Sequence, residues 1–117
     1  MHEIILYETG SGRSPVQEYI NKLNNEHKYN EIAQIDLYKE RLKNYGMLVN
    51  DYHPLTIKPL RDGVYELRPG GNRILFFHYT GSQFVLLHAF AKKTRKTPPH
   101  EIEKAIKEMK DYKRRNK

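Results

Sequence analysis

The fold of this chain is decided by residues 64–91, which read VYELRPGGNRILFFHYTGSQFVLLHAFA. Aliphatic and aromatic residues dominate three runs in this stretch, and a short glycine-containing turn separates each run from the next. Such runs, bounded by turn residues, predict strands, and turns this short join strands as antiparallel hairpins. The predicted strands are 64–68, 73–79 and 84–91.

Helix and strand signals flank this run of strands on both sides. Ser14 and Pro15, with Gln17 three residues after the serine, predict a helix that starts with a capping box. The pair Thr97-Pro98 predicts another helix start near the C-terminus. The other predicted elements are strand 2–7, helix 30–45 capped by Gly46, and strand 55–60. We therefore expect one α+β domain over residues 1–117, with an antiparallel sheet, two N-terminal helices packed on one face of it, and a C-terminal helix.

The turn lengths also predict the strand register. The expected pairs are Arg68–Arg73, Glu66–Leu75, Val64–Phe77, Arg73–Phe90, Leu75–His88 and Phe77–Leu86. One face of the sheet is then almost wholly apolar and should be covered by helices. That face carries Tyr65, Leu67, Ile74, Phe76, His78, Val85, Leu87 and Ala89. The other face gathers polar groups around one aromatic ring: Glu66, Arg68, Arg73, His88, Phe90 and Lys92.

Arg68 and Arg73 are expected to face each other across the turn at 69–72. Like charges in directly opposite positions destabilise a strand pair, so this arrangement is expected where two guanidinium groups bind one anion. Guanidinium groups keep their charge and match the geometry of phosphate oxygens, so the expected anion is a phosphate. A less specific interpretation is that Glu66 and Arg73 form only a surface ion pair.

This set of residues suits the cleavage of RNA by attack of a 2′-hydroxyl on the adjacent phosphate. The two guanidinium groups would stabilise the charge of the transition state. Glu66 or His88 would act as the base or the acid, and Phe90 or Tyr65 would stack against a base of the RNA. Basic residues after the last strand would hold the flanking phosphates: Lys92, Lys93, Arg95 and Lys96.

The composition favours a polyanionic partner. The 117 residues include 21 Lys and Arg against 14 Asp and Glu, and the resulting net charge of +7 favours nucleic acid or an acidic protein. The absence of cysteine excludes disulfides and thiolate sites. Because metal-ligand spacings and nucleotide-binding fingerprints are missing from the sequence, no metal or cofactor is expected. No stretch has the pattern of a signal peptide or a membrane span, so we expect a cytoplasmic protein.

Several stretches resemble HigB-type toxins of the phage-derived branch of the RelE/ParE superfamily. They are IKPLRDGVYELR at 57–68, NRILFF at 72–77, LLHAFAKKT at 86–94, and KTP at 96–98 with Glu101 and Ile102. The resemblance implies a RelE-like toxin of a type II toxin–antitoxin pair that cleaves mRNA in the ribosomal A site. It also implies neutralisation by a HigA-like helix-turn-helix antitoxin, with operator DNA bound only through the toxin–antitoxin complex.

The resemblance also implies roles for individual basic residues. In RelE-like ribonucleases, basic residues on the strand before the turn, just after the turn and after the last strand act on the phosphate. These positions correspond here to Arg68, Arg73 and Lys92 or Lys93, and Lys58 lies in a matching stretch as an RNA contact.

One departure from the family pattern leaves the proton acceptor open. RelE carries a C-terminal tyrosine that acts near the 2′-hydroxyl, whereas residues 97–100 of this chain, TPPH, contain no tyrosine. Glu66 and His88 both remain candidates for the base. Two other functions also remain open: a ParE-like inhibitor of DNA gyrase that does not cleave RNA, and a ribosome- or RNA-binding domain without catalysis.

Overall fold

The computed structural model describes residues 1–116 and contains one five-stranded sheet with helices. The strands are β1 (Glu3–Leu6), β2 (Ile57–Pro59), β3 (Val64–Leu67), β4 (Asn72–Thr80) and β5 (Gln83–Ala91). The helices are α1 (Pro15–Asn25), α2 (Tyr29–Tyr45), α3 (Val49–Tyr52) and α4 (Pro99–Arg115), and a single 3₁₀ turn (Gly46–Leu48) precedes α3. Each predicted element has a counterpart at nearly the predicted place, whereas α3 has no counterpart in the sequence prediction.

The order of the strands in the sheet is β1-β5-β4-β3-β2. Strands β2 to β5 form antiparallel pairs, but β1 runs parallel to β5. The predicted antiparallel sheet is therefore correct for four strands and wrong for β1, which makes the sheet mixed. Three helices and three strands separate β1 from β5 along the chain, so no hairpin forces these two neighbours to be antiparallel.

The core consists of two apolar clusters, each of which includes side chains of the sheet. The first cluster joins α1 and α2 to the sheet and includes Val16, Leu23, Ile35, Leu42, Leu67, Ile74, Phe76, Phe84 and Leu86. The second joins α4 to the alternate side chains of the same strands and includes Val64, Leu75, Phe77, Val85, Leu87, Ala105 and Met109. The face predicted to carry polar groups is therefore polar only at one end, because α4 buries an apolar strip on the rest of it.

A β-bulge at Leu87 changes the predicted register of the second hairpin. The two-residue turn is confirmed, and the pairs nearest the predicted site form as expected. Beyond Leu87, however, Phe77 pairs with Val85 instead of the predicted Leu86. The extra residue places Val85 and Leu87 in the α4 cluster, so their predicted position on the other face is wrong. Turn length sets a register only as far as the first inserted residue.

The predicted N-cap of α1 is correct, and the predicted N-cap of α4 is wrong. Ser14 caps α1 as predicted and accepts a hydrogen bond of 3.3 Å from the backbone N–H of Gln17. The Gln17 side chain bonds along the helix, so the capping box is incomplete. Helix α4 begins at Pro99, and Thr97 is not its N-cap. The Thr97 hydroxyl instead donates a hydrogen bond to Glu66, because that carboxylate lies within its reach.

Two further predictions concern single residues. Gly46 caps α2 as expected, with a φ of 59° that favours glycine, and a Cβ there would lie 2.5 Å from the imidazole of His2. His78 is exposed, although its ring stacks on Phe84 at a centroid distance of 4.6 Å. Across residues 1–116, none of the helices has the length and apolar character needed to cross a membrane.

Candidate nucleic-acid interface

The turn between β3 and β4 meets the end of β5 at one end of the sheet. The two strands have the predicted register as far as the pair Leu67–Ile74, and Arg68 and Arg73 are the next residues toward the turn. The backbone N–H of Lys92 donates a 2.8 Å hydrogen bond to the carbonyl of Gly71, and this bond extends the pairing past the end of β5. The basic segment 92–96 therefore begins directly beside the turn.

A cavity of about 540 Å³ opens next to this turn, and we call it the cationic cavity. Five side chains line it, and all five are basic: Lys58, Arg68, Lys92, Arg95 and Lys96. They come from β2, from the residue after β3 and from the segment after β5, so the fold gathers them from distant parts of the chain. Such a concentration of cations is suited to binding successive phosphates of a nucleic acid backbone.

A second cavity, of about 430 Å³, adjoins the first and shares Lys92, Arg95 and Lys96 with it. We call it the mixed cavity, because its lining combines charged, hydroxyl and aromatic groups. The rest of the lining is Tyr19, Lys22, Glu66, Arg73, Ala89, Phe90, Ala91, Lys93, Thr94, Thr97, Pro98, His100 and Glu101. The two cavities bring together every residue of the predicted site except His88 and Tyr65.

Glu66 lies between the two arginines at the turn. Its Oε2 is 3.6 Å from Nε of Arg68, and its Oε1 is 3.8 Å from Nε of Arg73. The residue is only 3% exposed, and Oε1 also accepts the hydrogen bond from Thr97. The carboxylate therefore offsets the repulsion between the two guanidinium groups, and it does so in a buried position where electrostatic interactions are weakly screened. The ion-pair interpretation of Glu66 is correct, although the pair is buried and not at the surface.

Arg73 is a fixed positive charge in the wall of the mixed cavity. It is 6% exposed, and its Nη1 donates hydrogen bonds to the carbonyls of Gly70 at 2.8 Å and Asn72 at 2.7 Å. Burial lowers the pKa of Arg73, and the neighbouring carboxylate of Glu66 opposes that change. A guanidinium group stays protonated throughout the range in which proteins fold. The side chain of Arg68, 26% exposed, is the more accessible of the two.

Asn72 anchors the same turn to the N-terminal helices. It is 1% exposed, its Oδ1 accepts a hydrogen bond from the hydroxyl of Tyr19, and its Nδ2 donates one of 2.9 Å to Glu31. Burial, together with the charge of Glu31, raises the pKa of Tyr19 to about 12, so the hydroxyl remains a donor at neutral pH. The turn that carries Arg73 is therefore held from α1 and α2 as well as from the sheet.

His88 lies beneath α4 between two carboxylates. Its Nδ1 is 2.6 Å from Oε1 of Glu108, and its Nε2 is 3.0 Å from Oε1 of Glu101. His88 is 2% exposed and lines neither cavity. His88 thus links β5 to α4 and lies away from the surface that a substrate would reach.

Tyr65 also lies outside the cavities. It packs against the cluster formed with α1 and α2, and its ring stacks on Phe76 at a centroid distance of 5.7 Å. Of the two predicted stacking residues, only the half-buried Phe90 lines a cavity. In the part of the chain that the structure describes, no group of three or more His, Cys, Asp or Glu side chains is placed to hold a metal ion.

The lining of the mixed cavity also contains residues that were not part of the sequence prediction, among them Tyr19, Lys22, Thr97, His100 and Glu101. The first two come from α1 and the others from the start of α4 and the residues before it. Helical periodicity marks Tyr19 as buried, but periodicity does not tell which strand a helix packs against. Only the packing of both helices reveals that these residues meet the turn.

Comparisons with known proteins agree with the resemblance found in the sequence. A family model described as "Phage derived protein Gp49-like (DUF891)" matches residues 18–110. Two curated proteins, from two strains of Mycobacterium tuberculosis and both named "Probable endoribonuclease HigB1", are 42% identical to the chain over 71 residues. The alignment covers 57% of this chain and 56% of each relative, so the chain spans about half the length of these relatives.

Proposed function

Because the chain belongs to the Gp49-like family of phage-derived proteins, we propose that it is the toxin of a type II toxin–antitoxin pair and acts as an endoribonuclease. The family match at residues 18–110 includes every residue that lines the two cavities. The relatives named endoribonuclease HigB1 support the resemblance to HigB-type toxins. The proposal extends the activity in that name to this chain.

The cationic cavity is the observation that carries this proposal. Its five basic side chains form a surface for consecutive phosphates, and the adjoining mixed cavity offers a ring, Phe90, for stacking a base. RNA fits such a pair of cavities better than a small phosphorylated ligand does, because a single strand presents successive phosphates together with bases that can stack. The net charge of +7 adds a general attraction to RNA.

In the proposed reaction, the 2′-oxygen of one nucleotide attacks the adjacent phosphorus and displaces the 5′-oxygen of the next nucleotide. Arg68 and Lys92 bind the phosphate oxygens from the cationic cavity, and Arg73 adds a fixed positive charge from the neighbouring wall. These charges stabilise the additional negative charge of the transition state. The nucleophile and the leaving group both belong to the RNA, so the reaction needs no metal.

We place the substrate on the ribosome, as mRNA in the A site, because the HigB-type resemblance implies this. The same resemblance implies a HigA-like antitoxin with a helix-turn-helix domain as the partner. Operator DNA would then be bound by the toxin–antitoxin complex and not by this chain alone.

A translation system assembled from purified components tests the proposal. Wild-type protein is expected to cut mRNA on ribosomes, and sequencing of the new 5′ ends locates the cuts. Arg68→Ala and Lys92→Ala are expected to slow cleavage by about 10²-fold each, the usual cost of losing one group that stabilises the transition state. Lys104→Ala, which removes an equal charge from the exposed face of α4, is the matched control and should cleave normally.

Two outcomes would contradict the proposal in different ways. Arrested ribosomes on intact mRNA would mean that the protein binds ribosomes without catalysis. Normal translation combined with inhibition of DNA supercoiling by gyrase would instead support a ParE-like activity.

A further inference from the structure

Four side chains form a continuous chain of contacts from the interior to the mixed cavity. Buried Glu108 contacts His88, and the other ring nitrogen of His88 is 3.0 Å from Oε1 of Glu101. The second carboxylate oxygen of Glu101, Oε2, lies 3.8 Å from Nε2 of His100. The side chain of Glu101 is 18% exposed and that of His100 is 79% exposed. The chain of contacts therefore ends on an accessible imidazole in the lining of the cavity that contains Arg73.

The sequence suggests two candidate bases, the carboxylate of Glu66 and the imidazole of His88. Other protein groups contact both of them. Glu66 faces two guanidinium groups and accepts a hydrogen bond from Thr97. His88 has a carboxylate at each ring nitrogen and is 2% exposed. A general base must come within hydrogen-bond reach of the proton that it removes. His88 lines neither cavity, and Glu66 lines the mixed cavity but is 3% exposed, with both of its carboxylate oxygens facing other protein groups.

We propose that His100 is the general base of the ribonuclease reaction and that Glu101 is its positioning residue. This inference rests on the proposed ribonuclease function and assigns the proton acceptor within the same site. Imidazole is the group that enzymes use most often for acid–base catalysis. His100 lines the mixed cavity together with Arg73 and Lys92, the two basic groups of this cavity that the proposed reaction places at the phosphate.

In the proposed step, one bond to phosphorus forms, one breaks, and two protons are transferred. His100 accepts the proton of the 2′-hydroxyl while the 2′-oxygen forms a bond to phosphorus. The bond between phosphorus and the 5′-oxygen breaks, its electron pair leaves with that oxygen, and the oxygen takes a proton from solvent. The products are a 2′,3′-cyclic phosphate and a 5′-hydroxyl, and His100 returns its proton to water.

Glu101 has two contacts that suit a positioning role. Its Oε1 is held through His88 and Glu108 to the interior, so its Oε2 is presented to His100 in a constant place. A carboxylate beside an imidazole orients the ring and stabilises the protonated form that develops in the transition state. This role also accounts for the buried polar groups under α4, which the proposed reaction otherwise leaves unused.

Single-turnover cleavage of mRNA on programmed ribosomes tests the base. His100→Gln is expected to cut at least about 10²-fold more slowly than wild type, because general base catalysis contributes about 10²–10⁴-fold. Its RNA binding should be unchanged. The matched control is His27→Gln, which alters an exposed histidine outside both cavities and should cut at the wild-type rate. Added imidazole should restore part of the activity of His100→Gly.

An mRNA with sulfur in place of the bridging 5′-oxygen separates a base from an acid. The sulfur leaving group needs no proton, so it would restore a variant that lacks the acid but not one that lacks the base. His100→Gln should remain slow on this substrate relative to wild type. Recovery to the wild-type rate would overturn the assignment of His100 as the base.

The positioning role of Glu101 has its own readout. Glu101→Gln should lower kcat without changing KM, and it should have no further effect in a His100→Gln background. An equal loss in both backgrounds would show that Glu101 does not act through His100. If His100→Gln cleaves at the wild-type rate, this inference alone is overturned. If the wild-type protein does not cleave RNA, the proposed function and the inference are overturned together.

Discussion

At the scale of single residues, a buried carboxylate determines what the two arginines at the turn can do. Arg68 and Arg73 each contact one carboxylate oxygen of Glu66, which compensates the repulsion between them. The arginines therefore do not require a bound anion to be stable neighbours. Their positive charges remain at the cavities, however, since one carboxylate cannot neutralise two guanidinium groups.

Replacing Glu66 with Gln keeps the shape of the side chain and removes its charge. We expect the free energy of unfolding to fall by about 1–3 kcal/mol, because two close guanidinium groups then lack a counter-charge. Urea denaturation measures this loss. Glu103→Gln, at an exposed position of α4, is the control and should change stability by less than about 0.5 kcal/mol. Equal stability of the two variants would show that Glu66 does not hold the arginines together.

At the scale of elements, α4 connects the candidate site to the rest of the sheet. Its first turn carries Glu101 and His100, and its buried face packs through Ala105 and Met109. Near its C-terminus, Asp111 accepts a 2.6 Å hydrogen bond from the hydroxyl of Tyr7, the residue after β1. The helix is thus attached at both ends, which fixes the position of its N-terminal residues beside the turn.

The attachment at Asp111 makes stability depend on pH. The hydrogen bonds from Tyr7, Arg115 and Arg114 hold the pKa of the Asp111 carboxyl well below its usual range. Burial, followed by the contact with Asp111, raises the pKa of Tyr7 to about 12. A carboxyl group with a lowered pKa in the folded state stabilises the fold above its unfolded pKa, about 3.9, and loses that contribution as the pH falls toward the folded value.

We therefore expect Asp111→Asn to lower Tm at pH 7, and we expect this difference from wild type to shrink progressively as the pH falls below about 4. Thermal unfolding of both proteins across the pH range measures the difference. Asp36→Asn, at an exposed position of α2, is the control and should follow wild type. A Tm difference that grows as the pH falls would contradict the assigned direction.

At the scale of the whole molecule, the fold concentrates part of its excess positive charge in one place. The five side chains of the cationic cavity come from three separate segments, and the face of the sheet elsewhere is buried under helices. Binding of single-stranded RNA to such a surface releases counterions from the phosphates, so affinity falls with salt.

Lys96→Ala should weaken the binding of a short fluorescent RNA and reduce the slope of log K against log salt by about 0.7, the value for one phosphate contact on a single strand. Fluorescence anisotropy at several salt concentrations gives the slope. Lys104→Ala removes the same charge from a position outside the cavities and should leave the slope unchanged. Equal slopes for all three proteins would mean that RNA does not occupy the cationic cavity.

Much of the fold can be predicted from local sequence signals. Turn residues predict both hairpins of β3 to β5, and Ser14 and Gly46 mark ends of α1 and α2 correctly. The errors arise where contacts between distant parts of the chain decide the outcome. The bulge at Leu87 has no turn signal. The local sequence predicts that the Thr97 hydroxyl accepts a hydrogen bond from a backbone N–H of α4, but it donates one to Glu66 of β3 instead.

The sequence by itself determined the run of hairpins, the placement of Arg68 and Arg73 at the two ends of one turn, and the supply of lysines and arginines nearby. These features depend on neighbours in the chain, on turn chemistry and on composition. Only the tertiary structure decided that Glu66 lies between the arginines, that His88 is enclosed, and that His100 reaches the cavity. The physical reason is that α4 packs across the sheet and brings residues after position 96 against residues about thirty positions earlier in the chain. Burial of the apolar strip sets this arrangement, and no local signal in the sequence predicts it.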